Sequence, residues 1–283
     1  MKIDKLALVA GAGQLPVLAA QNLLREKISF DVFILDETGE VNDNQEISFN
    51  DGEISRRPLS LTQFGKFLKI LQKEKFSHVL FLGKVHKNVI FSTLKFDFKS
   101  LMLMRAMLNM NDDNILNVIE KEFKKIDITI IKQTLFLTYL LLPQGVFSKK
   151  KPSKKDLEDV QYGFYYAKKL GQMDVGQTVI VKNKTVLALE AIEGTDACIE
   201  RGGQLAKKHG AIVCKAEKTK QDKRWDIPTI GIDTLKVMKK FGCTLLAIEA
   251  NTTFVVTPKE VITAANKLGI ILVSVVVNKS YKP

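Results

Sequence analysis

Two aspartates and four basic residues lie close together in the segment KTKQDKRWDIPTIG, residues 218–231. Asp222 and Asp226 are four residues apart, and Lys218 and Arg224 stand beside them. Because the segment mixes charges with a proline and a glycine, it predicts a loop and not a helix face. Carboxylates hold Mg²⁺ through oxygen and cations neutralise phosphoryl oxygens, so the segment indicates metal-assisted phosphoryl transfer. A solvated polar loop is the alternative.

A second acidic motif, EAIEGTD, closes a predicted strand at residues 190–196. The carboxyl ends of strands are where α/β proteins bind ligands, so its three acids, Glu190, Glu193 and Asp196, could join a metal site. Thr195 or Asp196 could instead cap the helix predicted to follow. A third acidic stretch, residues 111–114, reads NDDN, and its acids could bind a metal or cap a helix. We favour the cap for that stretch.

A glycine-rich turn, residues 11–13, separates the first predicted strand from the first predicted helix. Glycines at such a place let a phosphate approach backbone amides at a helix N-terminus. The dinucleotide-binding motif needs a third glycine where this chain has Pro16, and no GK[ST] motif is present. A turn that lines a cleft and a purely structural turn therefore remain the alternatives.

These motifs lie in a chain that alternates β-branched runs with helical periods, which predicts an α/β fold. Its 283 residues favour two domains, a Rossmann-like N-terminal domain over residues 1–145 and a second, catalytic α/β domain over residues 146–283. The proline- and lysine-rich segment 143–156 is predicted to link them. Thr257 and Glu260 predict a capping box for a late helix. The main predicted strands are 5–10, 29–35, 77–82, 127–131, 177–181, 185–191, 211–215, 244–249, 253–256 and 270–277; the helices are 16–25, 62–74, 101–110, 114–125, 156–170 and 233–241.

Composition narrows the classes of function. The three cysteines are widely spaced and predict reduced, buried thiols. The net charge of +12 favours anionic partners. Nucleic acid ranks last among them, because no recognition motif or aromatic stacking platform accompanies the charge. Neither a signal peptide nor an apolar stretch of membrane-spanning length is found, which leads us to expect a cytoplasmic protein.

Six motifs in order resemble the LpxI family, and the resemblance covers nearly the whole chain. The six motifs are GAGQLP at residue 11, FLGKV at 81, NDDNIL at 111, MDVGQTVIV at 173, EAIEGTDACIERGG at 190 and KTKQDKRWDIPTIG at 218. The last two of them are the most specific. The resemblance implies a UDP-2,3-diacylglucosamine pyrophosphatase of lipid A synthesis, which releases UMP and 2,3-diacylglucosamine 1-phosphate. It implies Mg²⁺ as cofactor, with Mn²⁺ as the alternative. It also implies a cytoplasmic homodimer that makes transient contact with the inner-membrane surface of a Gram-negative bacterium.

The resemblance gives individual residues their expected roles. Asp226 is the expected key acid, assisted by Asp222, while Lys218 and Arg224 stabilise charge on the phosphoryl oxygens. The expected metal ligands are drawn from Asp226, Asp222, Glu193, Asp196, Asp112 and Asp113. The expected substrate contacts are Gly11, Gly13, Gln14, Gly83, Gly194, Thr195 and Gln221. Two positions depart from the family pattern: Asn111 stands where glycine is usual, and Thr219 stands where a proline commonly follows the lysine.

An apolar stretch after Gly83 could house the acyl chains of such a substrate, although core packing explains such a stretch more often. Its large residues are Phe91, Leu94, Phe96, Phe98, Leu101 and Leu103. A non-catalytic, Rossmann-like sugar-nucleotide-binding protein is the alternative function. The acids in two separate motifs argue against it, because a protein that only binds anions gains nothing from them without a metal.

Overall fold

The structure, a computed structural model, describes residues 3–36, 54–84, 100, 112–219 and 221–277, and of residues 36, 61 and 112–116 it describes the backbone. This chain divides into two compact units. The first unit comprises Met1–Leu137 together with the short segment Lys223–Trp225. The second unit comprises Thr138–Asp222 and Asp226–Pro283. Asn111, the six large apolar residues predicted between 91 and 103, and the helix predicted over 101–110 lie outside the described residues.

The first unit contains a five-stranded parallel sheet. Its strands are β1 (Leu6–Ala10), β2 (Phe30–Asp36), β3 (Arg56–Ser60), β4 (His78–Leu82) and β5 (Thr129–Ile130). They are arranged in the order β3-β2-β1-β4-β5. The chain thus builds outward from β1 to β3 and then returns to the other side of β1, so the strand order reverses between β1 and β4. In open α/β sheets that reversal is the usual place for a ligand.

Helices α1 (Leu15–Arg25), α2 (Phe64–Lys73) and α3 (Asp112–Lys124) accompany this sheet, with 3₁₀ turns at Leu61–Gln63 and Gln133–Phe136. Helix α2 turns Phe67, Leu68 and Leu71 toward the sheet, because residues three and four apart share one helix face. The ring of Phe67 meets the ring of Phe33 edge-on, with 4.9 Å between centroids. Burying each such side chain contributes roughly 1.5–3 kcal/mol.

The second unit contains a six-stranded mixed sheet and a separate two-stranded parallel pair. The sheet consists of β6 (Gly145–Val146), β7 (Thr178–Lys182), β8 (Thr185–Leu189), β9 (Ala211–Lys215), β11 (Cys243–Glu249) and β13 (Ile271–Val275), and the pair consists of β10 (Thr229–Ile230) and β12 (Phe254–Val255). The sheet order is β6-β13-β11-β9-β7-β8. Strands β9, β11 and β13 are parallel, and two antiparallel pairings through β7 give β8 the same direction. Their carboxyl ends therefore lie at one edge.

Helices cover both faces of this second sheet: α4 (Lys154–Gln172) lies on one face, and α5 (Thr195–Leu205), α6 (Ile232–Lys240) and α7 (Pro258–Leu268) lie on the other. Successive side chains of β11 point to opposite faces of the sheet. Leu245 and Ala247 pack toward α4, while Leu246 and Ile248 pack toward the other three helices. Helix α4 begins with a complete capping box between Ser153 and Asp156.

The α/β class and the Rossmann-like first half are confirmed, but three local features differ from prediction. Strand β3 was not predicted, because its sequence RRPLS carries a proline and two arginines; it lies at the sheet edge, where proline is tolerated. Part of the predicted linker, Gly145–Val146, pairs with β13 in the second sheet. The capping box predicted at Thr257 is wrong: its side chain makes no cap bond and donates to the Val256 carbonyl instead. None of the described helices is long and apolar enough to cross a membrane.

Candidate functional site

The glycine turn after β1 meets the end of β4 where the strand order of the first unit reverses. The backbones approach so closely that a Cβ on Gly11 would lie 2.5 Å from the Lys84 carbonyl oxygen. A Cβ on Gly83, whose φ is +95°, would lie 2.5 Å from the carbonyl carbon of Gly11. Both glycines are therefore required by packing between the two strand ends. This contact accounts for Gly11 and Gly83 without a ligand.

Gly13 and Gln14 lie at the same edge but are exposed, and among the residues that the structure describes no heavy atom lies within 4 Å of a Cβ placed on Gly13. Gln14 precedes the first residue of α1, and its side chain makes no cap bond. The structure thus brings together the four predicted substrate contacts of the first unit. Of these four, Gly13 and Gln14 remain open to a ligand.

At the carboxyl edge of the second sheet, a chain of hydrogen bonds joins three elements. Lys215, the last residue of β9, is only 4% exposed and donates from Nζ to Thr195 Oγ1 over 2.6 Å. Thr195 in turn donates to Oε1 of the buried Glu190 over 2.8 Å. Thr195 thereby fixes the first turn of α5, which follows Gly194. The predicted substrate residues Gly194 and Thr195 sit at a rigid helix start.

The other acids of the EGTD motif have different surroundings. Glu193 accepts from the Ala191 amide and pairs with Arg201 at 2.5 Å. A hydrogen bond from its own backbone, and then the one from Arg201, hold the pKa of Glu193 below its usual value. Asp196 is exposed in the first turn of α5. Glu193 is thus engaged in a surface ion pair, whereas Asp196 remains accessible.

A loop of residues 216–228, of which the structure describes all but residue 220, is here called the acidic loop. It carries all four predicted catalytic residues. Gln221 organises it: its Oε1 accepts from the Lys218 amide at 2.8 Å, and its Nε2 donates to Asp226 Oδ2 at 2.6 Å. The Asp226 amide donates to the Asp222 carbonyl at 3.2 Å. The Lys218 ammonium pairs with Asp174 at 2.7 Å. Hydrogen bonds therefore link Gln221 to Asp226 and to the Lys218 backbone, and link Asp226 to the Asp222 backbone, while the Lys218 ammonium lies on Asp174.

The carboxylate of Asp226 is exposed to solvent. Within the part of the chain that the structure describes, its Oδ1 accepts no hydrogen bond, while Oδ2 is held by Gln221. An exposed carboxylate fixed at one oxygen can bind a cation or accept a proton with the other.

Arg224 lies in the same loop but faces a different partner. Its guanidinium binds Glu120 of α3 through two nitrogens, at 2.9 and 3.0 Å. This bidentate ion pair, together with Lys124, lowers the pKa of Glu120 from 4.5 to about 2. Because Glu120 already compensates the charge of Arg224, these contacts favour a positioning role over direct contact with a phosphoryl group.

The metal ligands predicted from sequence do not all converge. Among the described residues, no group of three or more His, Cys, Asp or Glu side chains could hold a metal ion. Asp112 and Asp113 begin α3, but the structure describes only their backbone. Asp222 and Asp226 supply the oxygen ligands that Mg²⁺ prefers, and this ion commonly takes one or two carboxylates beside substrate phosphates. The donor chemistry of these two carboxylates therefore fits Mg²⁺. Glu193 is paired with Arg201.

The three cysteines are poorly suited to act as catalytic nucleophiles, because they are buried. Cys198, Cys214 and Cys243 are all free thiols and buried, as predicted. Burial raises the pKa of Cys198 and of Cys243 to about 12, and it raises the pKa of Cys214 further. The reactive thiolate is therefore scarcely populated at neutral pH.

Three residues that organise these edges were not predicted: Lys215, Glu120 and Gln133. A lysine at the last position of the otherwise apolar strand AIVCK was a usable signal for Lys215. Glu120 and Gln133 gave no local signal, because their partners lie 104 and 92 residues away in the chain.

Comparison with known proteins covers both units. The LpxI N-terminal domain family matches residues 5–140, and the LpxI C-terminal domain family matches residues 143–273. The UDP-2,3-diacylglucosamine pyrophosphatase LpxI of Caulobacter vibrioides is 31% identical over 284 residues, and the match covers 96% of this chain and 97% of that protein.

Two solved structures show much lower similarity in sequence and in fold. The enzyme WbmG of Bordetella bronchiseptica in complex with NAD has a TM-score of 0.28 at 16% identity, covering 45% of this chain and 36% of its own. UDP-glucose 4-epimerase of Thermotoga maritima has a TM-score of 0.29 at 11% identity, covering 53% and 42%. These values are too low to carry an argument about function.

Proposed function

Because the chain belongs to the LpxI family over both of its units, we propose that it hydrolyses the diphosphate of UDP-2,3-diacylglucosamine. The products are UMP and 2,3-diacylglucosamine 1-phosphate, and the step belongs to lipid A synthesis. The observation that carries this proposal is the acidic loop. Gln221 holds an exposed Asp226 carboxylate and the Lys218 backbone amide, within the residues 143–273 that match the LpxI C-terminal domain family.

In this proposal, Asp226 is the principal acid of the reaction. Its Oδ2 is oriented by Gln221, which leaves Oδ1 to receive a proton from the attacking water or to bind the cation. A positioned acid or base of this kind contributes typically ~10²–10⁴-fold to rate. Water adds to the sugar-side phosphorus and the bond to the bridging oxygen breaks, so that UMP leaves with that oxygen.

Lys218 is the proposed electrostatic stabiliser. Its ammonium pairs with Asp174, which is exposed and can be exchanged for a phosphoryl oxygen of the substrate. Fixed positive charge stabilises the charge that develops on phosphoryl oxygens during transfer. Gly13 and Gln14 in the first unit, and Gly194 and Thr195 in the second, are proposed to contact substrate.

Mg²⁺ is the proposed cofactor, with Mn²⁺ as an alternative, and Asp222 and Asp226 are the residues that would hold it. When bound, the ion would neutralise charge on the diphosphate and make a coordinated water more acidic. Asp196 is a further candidate ligand because it is exposed. Asp112 and Asp113 stay candidates from their sequence motif.

We further propose that the protein is a cytoplasmic homodimer that contacts the inner-membrane surface of a Gram-negative bacterium when it binds its lipid-linked substrate. The net charge of +12 supports attraction to an anionic lipid surface. Sedimentation of the purified protein tests the dimer, and flotation with vesicles of phosphatidylglycerol and phosphatidylethanolamine tests the membrane contact.

The direct test of the proposed reaction is product analysis. The purified protein is incubated with UDP-2,3-diacylglucosamine, with Mg²⁺ or with a chelator, in water enriched in ¹⁸O. We expect metal-dependent release of UMP and of a lipid phosphate that carries the label. Tight nucleotide binding without turnover under any divalent metal would replace this proposal with a sugar-nucleotide-binding protein.

A further inference from the structure

Three residues of the acidic loop belong to a different unit from the acids on either side of them. Lys223–Trp225 is part of the first unit, whereas Asp222 and Asp226 belong to the second. Lys223 directly follows Asp222, and Trp225 directly precedes Asp226. Whatever holds Lys223 and Trp225 therefore limits, through single peptide links, where both acids can lie.

Gln133 holds both ends of this three-residue segment. Its backbone N–H donates to the Lys223 carbonyl at 2.8 Å, and its side-chain Nε2 donates to the Trp225 carbonyl at 3.0 Å. The same Nε2 donates to the Phe81 carbonyl in β4 at 2.9 Å. Gln133 is only 5% exposed, so both amide hydrogens have acceptors in a place where an unsatisfied donor would be costly.

The residues between those two carbonyls are held as well. Arg224 is bound by Glu120 through two hydrogen bonds, and Glu120 also pairs with Lys124 at 2.7 Å. The indole of Trp225 packs on the ring of Phe81, with 4.8 Å between centroids, against the aromatic core of the first unit. Each of the three residues thus has a separate anchor on the first unit.

We propose that Gln133 is a positioning residue for the acidic loop, and that it fixes Asp226 for the reaction by holding the Trp225 and Lys223 carbonyls. The role assigned to Asp226 rests on the proposed function. The hydrogen bonds that Gln133 forms with described residues of the loop go to the Lys223 and Trp225 carbonyls, so its effect on Asp226 passes through the chain. A displacement of about 1 Å at a reacting group can cost ~10²-fold in rate, so loosening this anchor should lower turnover strongly.

The test compares two substitutions of Gln133. Gln133→Glu keeps the size of the side chain but offers only acceptors to two carbonyl oxygens, and Gln133→Met keeps the length and removes the donors. We expect kcat to fall about 10–100-fold in both variants, with KM within about threefold of the wild-type value, because binding contacts remain. Glu120→Gln, a milder change at the Arg224 anchor, should shift kcat in the same direction by less.

Trp225 provides a second readout, because it is the one tryptophan in the sequence. Acrylamide quenching of its fluorescence reports how firmly the segment is held, and it needs no substrate. We expect the quenching constant to rise at least about twofold in both Gln133→Glu and Gln133→Met, as the indole leaves its packed position against Phe81.

Asn22→Ala is the matched control. Asn22 Nδ2 donates to the Phe136 carbonyl at 2.6 Å, so it holds the other end of the 3₁₀ turn that begins with Gln133, and its side chain forms no hydrogen bond with the described residues of the acidic loop. This variant should keep wild-type kcat and quenching. Wild-type kcat and quenching in Gln133→Met, or an equal loss in Asn22→Ala, would overturn the inference. A wild-type protein without hydrolytic activity would refute the proposed function, and the inference would then stand or fall on the quenching comparison.

Discussion

Gln221 donates from its side-chain amide to Asp226 Oδ2 over 2.6 Å while its carbonyl oxygen accepts from the Lys218 backbone. One side chain thus sets the spacing between the proposed acid and the backbone that carries the proposed cation. This relationship orients an exposed carboxylate without burying it, which suits a group that must meet both water and a charged substrate.

The first prediction concerns this amide. Gln221→Ala removes the bond to Asp226 and should lower kcat about tenfold, because the carboxylate regains rotational freedom. Gln221→Glu should lower it further, since a second carboxylate repels Asp226 and offers it no donor. Steady-state kinetics on the two variants check the order. Equal activity in wild type and Gln221→Glu would contradict the orienting role.

The second prediction separates Lys218 from its partner. Lys218→Gln should lower kcat about 10²–10³-fold, as expected for loss of one fixed charge at a phosphoryl group. Asp174→Asn leaves the lysine charged and should keep kcat within about threefold, because the exposed pair contributes little by itself. A comparable loss in both variants would show that the ion pair, and not the cation, matters.

The third prediction concerns the thiols. Since burial raises the pKa values of Cys198 and Cys243 to about 12, and that of Cys214 further, none should react quickly in the folded protein. Titration with a chromogenic disulfide reagent should detect no fast thiol in the native protein and all three in guanidinium. Activity should survive the native treatment. Rapid reaction of one thiol with loss of activity would argue for a thiol in the site.

The fourth prediction concerns pH. The pKa of Glu120 is lowered from 4.5 to about 2 by Arg224 and then by Lys124. A carboxylate with a depressed folded-state pKa stabilises the fold above its unfolded pKa, and that contribution is lost as pH falls through the folded value. Glu120→Gln should therefore destabilise the first unit at pH 7, with the difference from wild type shrinking between pH 4.5 and about 2.

Urea unfolding followed by Trp225 fluorescence measures this difference, because the indole belongs to the first unit. Glu158→Gln is the control, since its ion pair with Lys184 lies in the second unit and is largely exposed. A gap between wild type and Glu120→Gln that stays constant from pH 7 to pH 2.5 would contradict the assigned ion pair.

The sequence predicts those parts of the fold that depend on local pattern. The buried run LALVA followed by GAG identified β1, its turn and the start of α1, and the apolar spacing of α2 identified its packing face. Strand β3 was not predicted, because an edge strand does not need the regular apolar residues that mark an interior strand. The Thr257 capping box failed because Thr257 adopts a left-handed conformation, with φ of 50°, and turns its hydroxyl toward Val256.

The same distinction between local and distant contacts separates the site residues that the sequence predicted from those that it did not. Asp222, Asp226 and Lys218 are close in sequence, so the motif alone was sufficient to predict that they share one loop. The roles of Gln133 and Glu120 could not be predicted from the sequence, because they depend on hydrogen-bond partners that lie far along the chain. Arg224 was assigned to the chemistry by its position in the motif, and only its contact with Glu120 favours a positioning role.

The most direct measurement compares turnover of UDP-2,3-diacylglucosamine by the wild-type protein, Asp226→Asn and Asp233→Asn, with the fold of each checked by circular dichroism. Asp233 also carries an exposed carboxylate, and it pairs with Lys236 on α6, outside the acidic loop. We predict that Asp226→Asn loses about 10²–10⁴-fold in kcat while Asp233→Asn keeps the wild-type rate. A folded Asp226→Asn variant that turns over at the wild-type rate would contradict the account.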